Sequence, residues 1–285
     1  MLKNMSRIGV IGGGNMGEAF ASALIKSGIR KASEISVSDI DESRLSDLHR
    51  TYGVSVHNDN RLVFSRSDVV ILAVKPQQMI GVLTGIAGHP GYSASERKLI
   101  ISIAAGIPMK KIESVLYTPL AEADRMRLPI IRVMPNTPAL VLMGVSGMSA
   151  NRFAGDDERT LARQLLSAIG TVFEFEEEDL DAVTALSGSG PAYVFYLIES
   201  MIDAGIAVGL PSDKAIAMTL ETVKGSLSLM TSRSTSAEEL RRQVTSPGGT
   251  TEAALQVLEA NHVKDHIIDA IKAARRRGKE LSSLM

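Results

Sequence analysis

From the start of the chain to about Phe175, short apolar runs alternate with stretches whose apolar positions recur at helical spacing. "RIGVIG" (7–12) reads as a strand and "GEAFASALIKSG" (17–28) as a helix closed by Gly28. "EISVSD" (34–39) and "ESRLSDLHRTYG" (42–53) repeat that pair. The runs "SDVVILAVKP" (67–76) and "KLIISIAAG" (98–106) are almost continuously apolar, as strands covered on both faces are. "PIIRVMPNTP" (129–138), "VSGMSA" (145–150) and "TVFEF" (171–175) predict further strands. Strands alternating with helices across short connections predict an α/β fold built on a doubly wound, mostly parallel sheet.

After "EEED" (176–179) the strand signals stop. Residues 191–211, 212–230, 236–244 and 251–261 all read as helices, as does the segment from about His262 to Leu284. Ser212 is placed to cap the second of these, Ser236 with Glu239 forms a capping-box pattern, and Gly209–Pro211 ends the first. The pattern therefore predicts a first domain over 1–176 and an all-helical second domain over 177–285. The helix at 191–208 is apolar on nearly every face, interrupted only by Glu199, Ser200 and Asp203. In so small a domain a helix of that kind predicts a subunit interface, hence a homo-oligomer.

"IGVIGGGNMGEAF" places Gly12, Gly14 and Gly17 in G-x-G-x-x-G spacing between the first strand and the first helix. In a Rossmann-type domain the first glycine makes the tight turn, the second lets backbone approach a pyrophosphate, and the third packs helix on strand. The helix N-terminus then offers free N–H groups to the phosphates. Strand, helix and the acidic end of the next strand agree, which makes dinucleotide binding the expectation. Asp39 lies 22 residues beyond Gly17, close to the offset of the acid that binds a ribose 2′-hydroxyl. That favours NADH, while Ser36, Ser38 and Arg44 beside it leave NADPH open. The competing role for Asp39 is a helix cap in "DIDESR".

The 31 basic and 32 acidic residues nearly cancel, so no global field draws nucleic acid or an anionic membrane, and neither is expected as a partner. There is no cysteine, which excludes disulfides, thiolate metal sites and thiol nucleophiles. The N-terminus lacks the apolar core of a signal peptide and no stretch reads as a membrane span, so a cytoplasmic location is the expectation. The i, i+4 pair His262 and His266 lacks a further acidic or thiolate ligand nearby and reads as a solvated face, so no metal is expected. Two stretches resemble site material: "LSGSGPAYVF" (186–195) and "TSPGGTT" (245–251). Both set hydroxyls and glycines just ahead of a helix, where free N–H groups bind a carboxylate well. Each reads equally well as a capping turn.

"IGVIGGGNMGEA", "AVKPQQM", "SIAAG", "RVMPNTPALV", "SGSGPAYVF", "GLP" at 209–211 and "SPGGTT" followed by "EAALQVLE" occur in that order. Over essentially its whole length the chain thereby resembles the pyrroline-5-carboxylate reductases. The resemblance implies NAD(P)H-dependent reduction of the C=N bond of 1-pyrroline-5-carboxylate to L-proline, the last step of proline biosynthesis. An imine is already polarised, so the reaction needs neither a catalytic histidine nor a metal. By motif, Thr251 corresponds to the catalytic hydroxyl on the ring nitrogen. Ser246, Gly248, Gly249, Thr250 and Thr251 correspond to the substrate-carboxylate cradle, with Ser187 at the junction of cofactor and substrate. The resemblance assigns Gly12, Gly14, Asn15, Met16 and Gly17 to the pyrophosphate and Asn58 to the adenosine ribose, where the offset already places Asp39. Ala73, Val74, Lys75 and Pro76 fall around the ribose region, and Ala104, Ala105, Gly106, Pro135 and Asn136 near the nicotinamide. Family members commonly prefer NADPH and assemble through the helical half as dimers and decamers. The "SDID" at 38–41 departs from the residues usual in NADPH-preferring members.

Two other readings compete with this one. Rossmann-plus-helical reductases of the 3-hydroxyacid dehydrogenase kind place a lysine on the central helix, and none occurs between Pro191 and Lys214. A cofactor-binding scaffold without turnover would not need "SPGGTT" and "SGSGPAY" intact.

Overall fold

The computed structural model describes residues 5–233 and 235–284. The elements follow in chain order as β1 (Ile8–Ile11), α1 (Asn15–Lys26), β2 (Ile35–Ser38), α2 (Glu42–Tyr52), β3 (Ser55–His57), α3 (Asn60–Arg66), β4 (Val69–Leu72) and α4 (Pro76–Ala87). Next come β5 (Leu99–Ser102), α5 (Met109–Leu116), α6 (Glu122–Arg125), β6 (Ile130–Met134), β7 (Gly144–Ala150), α7 (Asp156–Leu166), β8 (Gly170–Glu174) and α8 (Leu180–Val183). The helices α9 (Gly190–Ala207), α10 (Ser212–Arg233), α11 (Ala237–Gln243), α12 (Thr250–Ala260) and α13 (Val263–Leu284) complete the described chain.

The strands form one sheet in the order β3-β2-β1-β4-β5-β6-β7-β8. Every neighbouring pair is parallel except β6 with β7. The continuous apolar runs are explained by what lies above and below. Val69 and Ile71 of β4 face one core together with Phe20 and Leu24 of α1, while Val70 and Leu72 face a second core with Met79 and Leu83 of α4. A strand covered on both sides has no face left for polar residues. Fully burying each such side chain contributes about 1.5–3 kcal/mol, so truncation is costly along β1, β4 and β5, which are buried throughout.

Contacts divide the chain into two compact units, one running through Gly188 and rejoined from Ala274 onward, the other Ser189–Ala273. The expected boundary at 176/177 precedes this break in contacts, for a physical reason. After the acidic stretch α8 packs on β6 and β7, and Ser282 of α13 donates to Asp181 Oδ1 at 3.3 Å. The second unit is helical throughout, as its sequence predicts. Ser236 caps α11 by accepting the Glu239 N–H at 3.2 Å. Ser212 does not cap α10: it lies inside the helix, and the Pro211 carbonyl accepts from Ala215 at 2.9 Å.

One of the tightest backbone approaches lies at the end of β1. A Cβ on Gly17 would overlap the carbonyl oxygen of Gly12, whereas one on Gly14 would meet nothing within 4 Å. Gly17→Ala should therefore lower stability by roughly 1–3 kcal/mol, the usual cost of overpacking. Gly14→Ala should cost less than about 1 kcal/mol, the difference between these residues at an N-cap. Urea unfolding followed by circular dichroism separates the two; equal midpoints would contradict this packing.

Candidate functional site

The loop after β1 is held by its neighbours on both sides. The Gly12 N–H donates to Ser38 O, and the Ala73 N–H to Ile11 O, each at 2.8 Å. Gly12 turns at φ +104°, where a Cβ would lie 2.7 Å from the Ala73 backbone, so only glycine fits. Gly14 is the extended N-cap of α1, and Asn15 and Met16 open that helix with free N–H groups.

Gly13 is gripped from both ends. Its N–H donates to Asp39 Oδ2 at 2.6 Å, and its carbonyl accepts from Arg44 Nε at 2.8 Å. Arg44 also forms an ion pair with Glu18, whose other oxygen accepts the Tyr52 hydroxyl at 2.9 Å. Burial raises the Tyr52 phenol above its ordinary pKa, and the Glu18 hydrogen bond raises it further, so the hydroxyl keeps its proton. Asp39 is not the cap of α2: Asp41 takes that role, accepting the Arg44 N–H at 3.1 Å.

A cavity of about 570 Å³ opens beside this loop, lined by Gly12, Gly14, Ser38, Asp39, Asp41, Asn60, Ala73, Val74 and Lys75, among others. Asn58 instead lines a neighbouring cavity of about 330 Å³ that shares Asn60 with the first. Pro76 is the first residue of α4, with Lys75 as its N-cap. The cavity lies at the C-terminal ends of β1, β2 and β4, where doubly wound sheets bind ligands. The residues suit a dinucleotide: a glycine with open space over it, a helix N-terminus, and a fully buried Ser38 hydroxyl without a hydrogen-bond partner in the wall.

Ala104, Ala105 and Gly106 follow β5, with Gly106 at φ +73°, and Pro135 and Asn136 follow β6. Asn136 is fixed at both ends of its amide. Its Oδ1 accepts the Val145 N–H at 2.8 Å and its Nδ2 donates to Ser187 Oγ at 3.3 Å. Ser187 reaches that position from a π-helical turn over Thr184–Gly188, a geometry frequent at functional sites. A buried ion cluster lies on the same strand. Arg132 of β6 pairs with Glu177 and Asp181, and Glu177 Oε1 also accepts the Met109 N–H at 2.6 Å. A single arginine inside "PIIRVM" signals such a partner, because a buried charge must be paired. Sequence reasoning did not use it.

In the second unit "SPGGTT" forms the turn into α12. Gly248 sits at φ +72°, and Gly249 is the N-cap, its N–H donating to Ser246 O at 3.0 Å. The Gly248 N–H donates to Glu252 Oε2 at 2.7 Å. Two donors expected for a cradle are thus used within the turn. The open ones are the N–H groups of Thr250 and Thr251, the first two residues of the helix. Thr250 is exposed and Thr251 half-buried. Ser187 belongs to the first unit and Ser246 through Thr251 to the second. His262 precedes α13 at φ +52°, so the two histidines do not share that helix. Among the described residues no group of three or more His, Cys, Asp or Glu could hold a metal ion.

The helix α9 has no buried residue in the single chain, and Phe195 and Tyr196 are 64% and 72% exposed. Val194 and Leu197 extend this apolar surface. Patches of this kind mark interaction sites.

Residues 177–281 match the family model described as pyrroline-5-carboxylate reductase dimerisation, and residues 7–106 match the one described as NADP oxidoreductase coenzyme F420-dependent. A pyrroline-5-carboxylate reductase of Synechocystis sp. is 40% identical over 275 residues, covering 96% of this chain and 98% of that protein. The solved structure of a pyrroline-5-carboxylate reductase from Coxiella burnetii superposes with TM-score 0.86 at 36% identity, over 98% of this chain and 99% of that one. That of Plasmodium falciparum pyrroline carboxylate reductase with NADP bound gives TM-score 0.85 at 30% identity, over 99% and 100%. With a dinucleotide loop in one unit, a dimerisation match over the other and these relatives along its whole length, the chain belongs to the pyrroline-5-carboxylate reductase family.

Proposed function

We propose that this chain reduces the C=N bond of 1-pyrroline-5-carboxylate to L-proline with NAD(P)H, the last step of proline biosynthesis. The observation that carries the substrate assignment is the "SPGGTT" turn. Its two remaining N–H donors flank the Thr251 hydroxyl at the start of α12, a pairing that suits a small cyclic imine bearing a carboxylate. Bound NAD(P)H supplies a hydride to the imine carbon. The Thr251 hydroxyl hydrogen-bonds the ring nitrogen, and that nitrogen takes up one proton from solvent as the hydride reduces C=N to CH–NH. The N–H groups of Thr250 and Thr251, with Ser246, hold the carboxylate. Orientation of this kind dominates when the electrophile is already polarised.

For the cofactor, Gly12, Gly14, Asn15, Met16 and Gly17 hold the pyrophosphate. Asp39 faces the adenosine ribose, with Asn58 beside it and Ala73–Pro76 along the ribose wall. Ala104–Gly106, Pro135 and Asn136 border the nicotinamide, and the Asn136–Ser187 hydrogen bond fixes the amide on that side. The chain forms homo-oligomers through its helical half, and the dimers assemble into decamers. No helix among the described residues is long and apolar enough to cross a membrane. A cytoplasmic enzyme without nucleic-acid or membrane partners fits the balanced charge.

Thr251→Val should lower kcat/KM for 1-pyrroline-5-carboxylate on the order of 10²-fold, the lower end of what one positioned proton donor contributes. The Kd for reduced cofactor, read by nicotinamide fluorescence, should stay unchanged; a collapse in cofactor binding would move Thr251 to another pocket. Phe195→Glu should put a charge into the apolar face of α9 and shift the assembly to smaller species. Light scattering behind size exclusion reads this directly, and an unaltered mass would place the interface elsewhere.

A further inference from the structure

The ribose end of the cofactor cavity presents carboxylates. Asp39 uses one acceptor position on each oxygen, Oδ2 for the Gly13 N–H at 2.6 Å and Oδ1 for the Asp41 N–H at 3.1 Å. A carboxylate has about four acceptor positions, so two remain for a ribose diol. Asp41 lines the same wall. Arg61 is held by its own neighbour Asp59, through Nη2 to Oδ2 at 2.9 Å. Lys75, the N-cap of α4, also lines the cavity.

Arg44 is the cation that could serve a 2′-phosphate. It touches the carbonyl of the same Gly13 whose N–H rests on Asp39, so its guanidinium lies one residue's width from the ribose acid. Yet it does not line the cavity. Its guanidinium is held by the Gly13 carbonyl and by Glu18, and Glu18 is braced in turn by Tyr52. We propose that Glu18 is a positioning residue for cofactor choice: by holding Arg44 on the loop, it keeps that guanidinium away from the ribose end where Asp39 and Asp41 line the cavity, and selects NADH over NADPH. This rests on the reading that the dinucleotide binds at the glycine loop. A 2′-phosphate brings nearly two negative charges beside Asp39, with no free arginine to receive them.

The test measures Kd for NADH and for NADPH on the full chain by nicotinamide fluorescence, alongside kcat/KM with each. The unmodified protein should bind NADH about tenfold tighter or more, the scale of one charge-assisted contact. Glu18→Gln should reduce that ratio by about tenfold through tighter NADPH binding, with NADH changed less than about twofold. Adding Arg44→Ala to Glu18→Gln should restore the NADH preference. Tyr52→Phe, the milder change, should move the ratio the same way by a smaller factor, and it serves if Glu18→Gln does not fold. An NADPH preference in the unmodified protein that Arg44→Ala abolishes would overturn the proposal, because Arg44 would then be the phosphate ligand itself. So would an unchanged ratio in Glu18→Gln, or equal weakening of both cofactors, since either makes the ion pair purely structural. Failure to bind either cofactor would instead overturn the dinucleotide site, and binding without turnover would overturn the substrate assignment alone.

Discussion

The cofactor end of the molecule depends on how closely α1 approaches the end of β1. Gly17 has no room for a side chain because the Gly12 carbonyl occupies that space, and Gly12 itself turns against the backbone of Ala73. These two approaches bring the ends of β1 and β4 and the start of α1 together and leave Gly14 facing open space. The next residue, Gly13, is then secured by Asp39 at its N–H and Arg44 at its carbonyl. A loop fixed from behind in this way need not reorganise when a pyrophosphate arrives, which is the sense in which a site is preorganised.

Much of this was legible in the sequence, and the exceptions have physical reasons. The apolar runs of β4 and β5 announce strands buried on both faces. β3 escapes notice because it is three residues long and only partly covered, at the sheet edge. The glycine spacing and the acid after β2 could be read from their offsets. That Arg44 turns away to Glu18 could not, because it depends on α1 and α2 lying side by side. The domain boundary was placed where the strand signals stop, but α8 still packs on the sheet after them. In "SPGGTT" the helix start was legible to within a residue, expected at Thr251 and found at Thr250. The use of Gly248 and Gly249 as donors inside the turn was not, because it follows from backbone angles and the reach of Glu252.

The two units carry different duties. The first supplies a rigid cavity from strand ends. The second supplies the "SPGGTT" turn at the start of α12 and, on α9, an apolar surface that the single chain leaves exposed. Changes on that face act on the partner as well as on the molecule that bears them.

The end of α13 belongs to the first unit, with Ser282 bonded to Asp181 and Leu281 next to Gly106. The helices from Ser189 to Ala273 are therefore an insertion within one compact body, both of whose ends are anchored in it. On a ribosome the sheet can form early, but its last contacts wait until the whole helical segment has been made. Completion of the first body thus reports that the second has been synthesised, and the chain carries a built-in order of assembly.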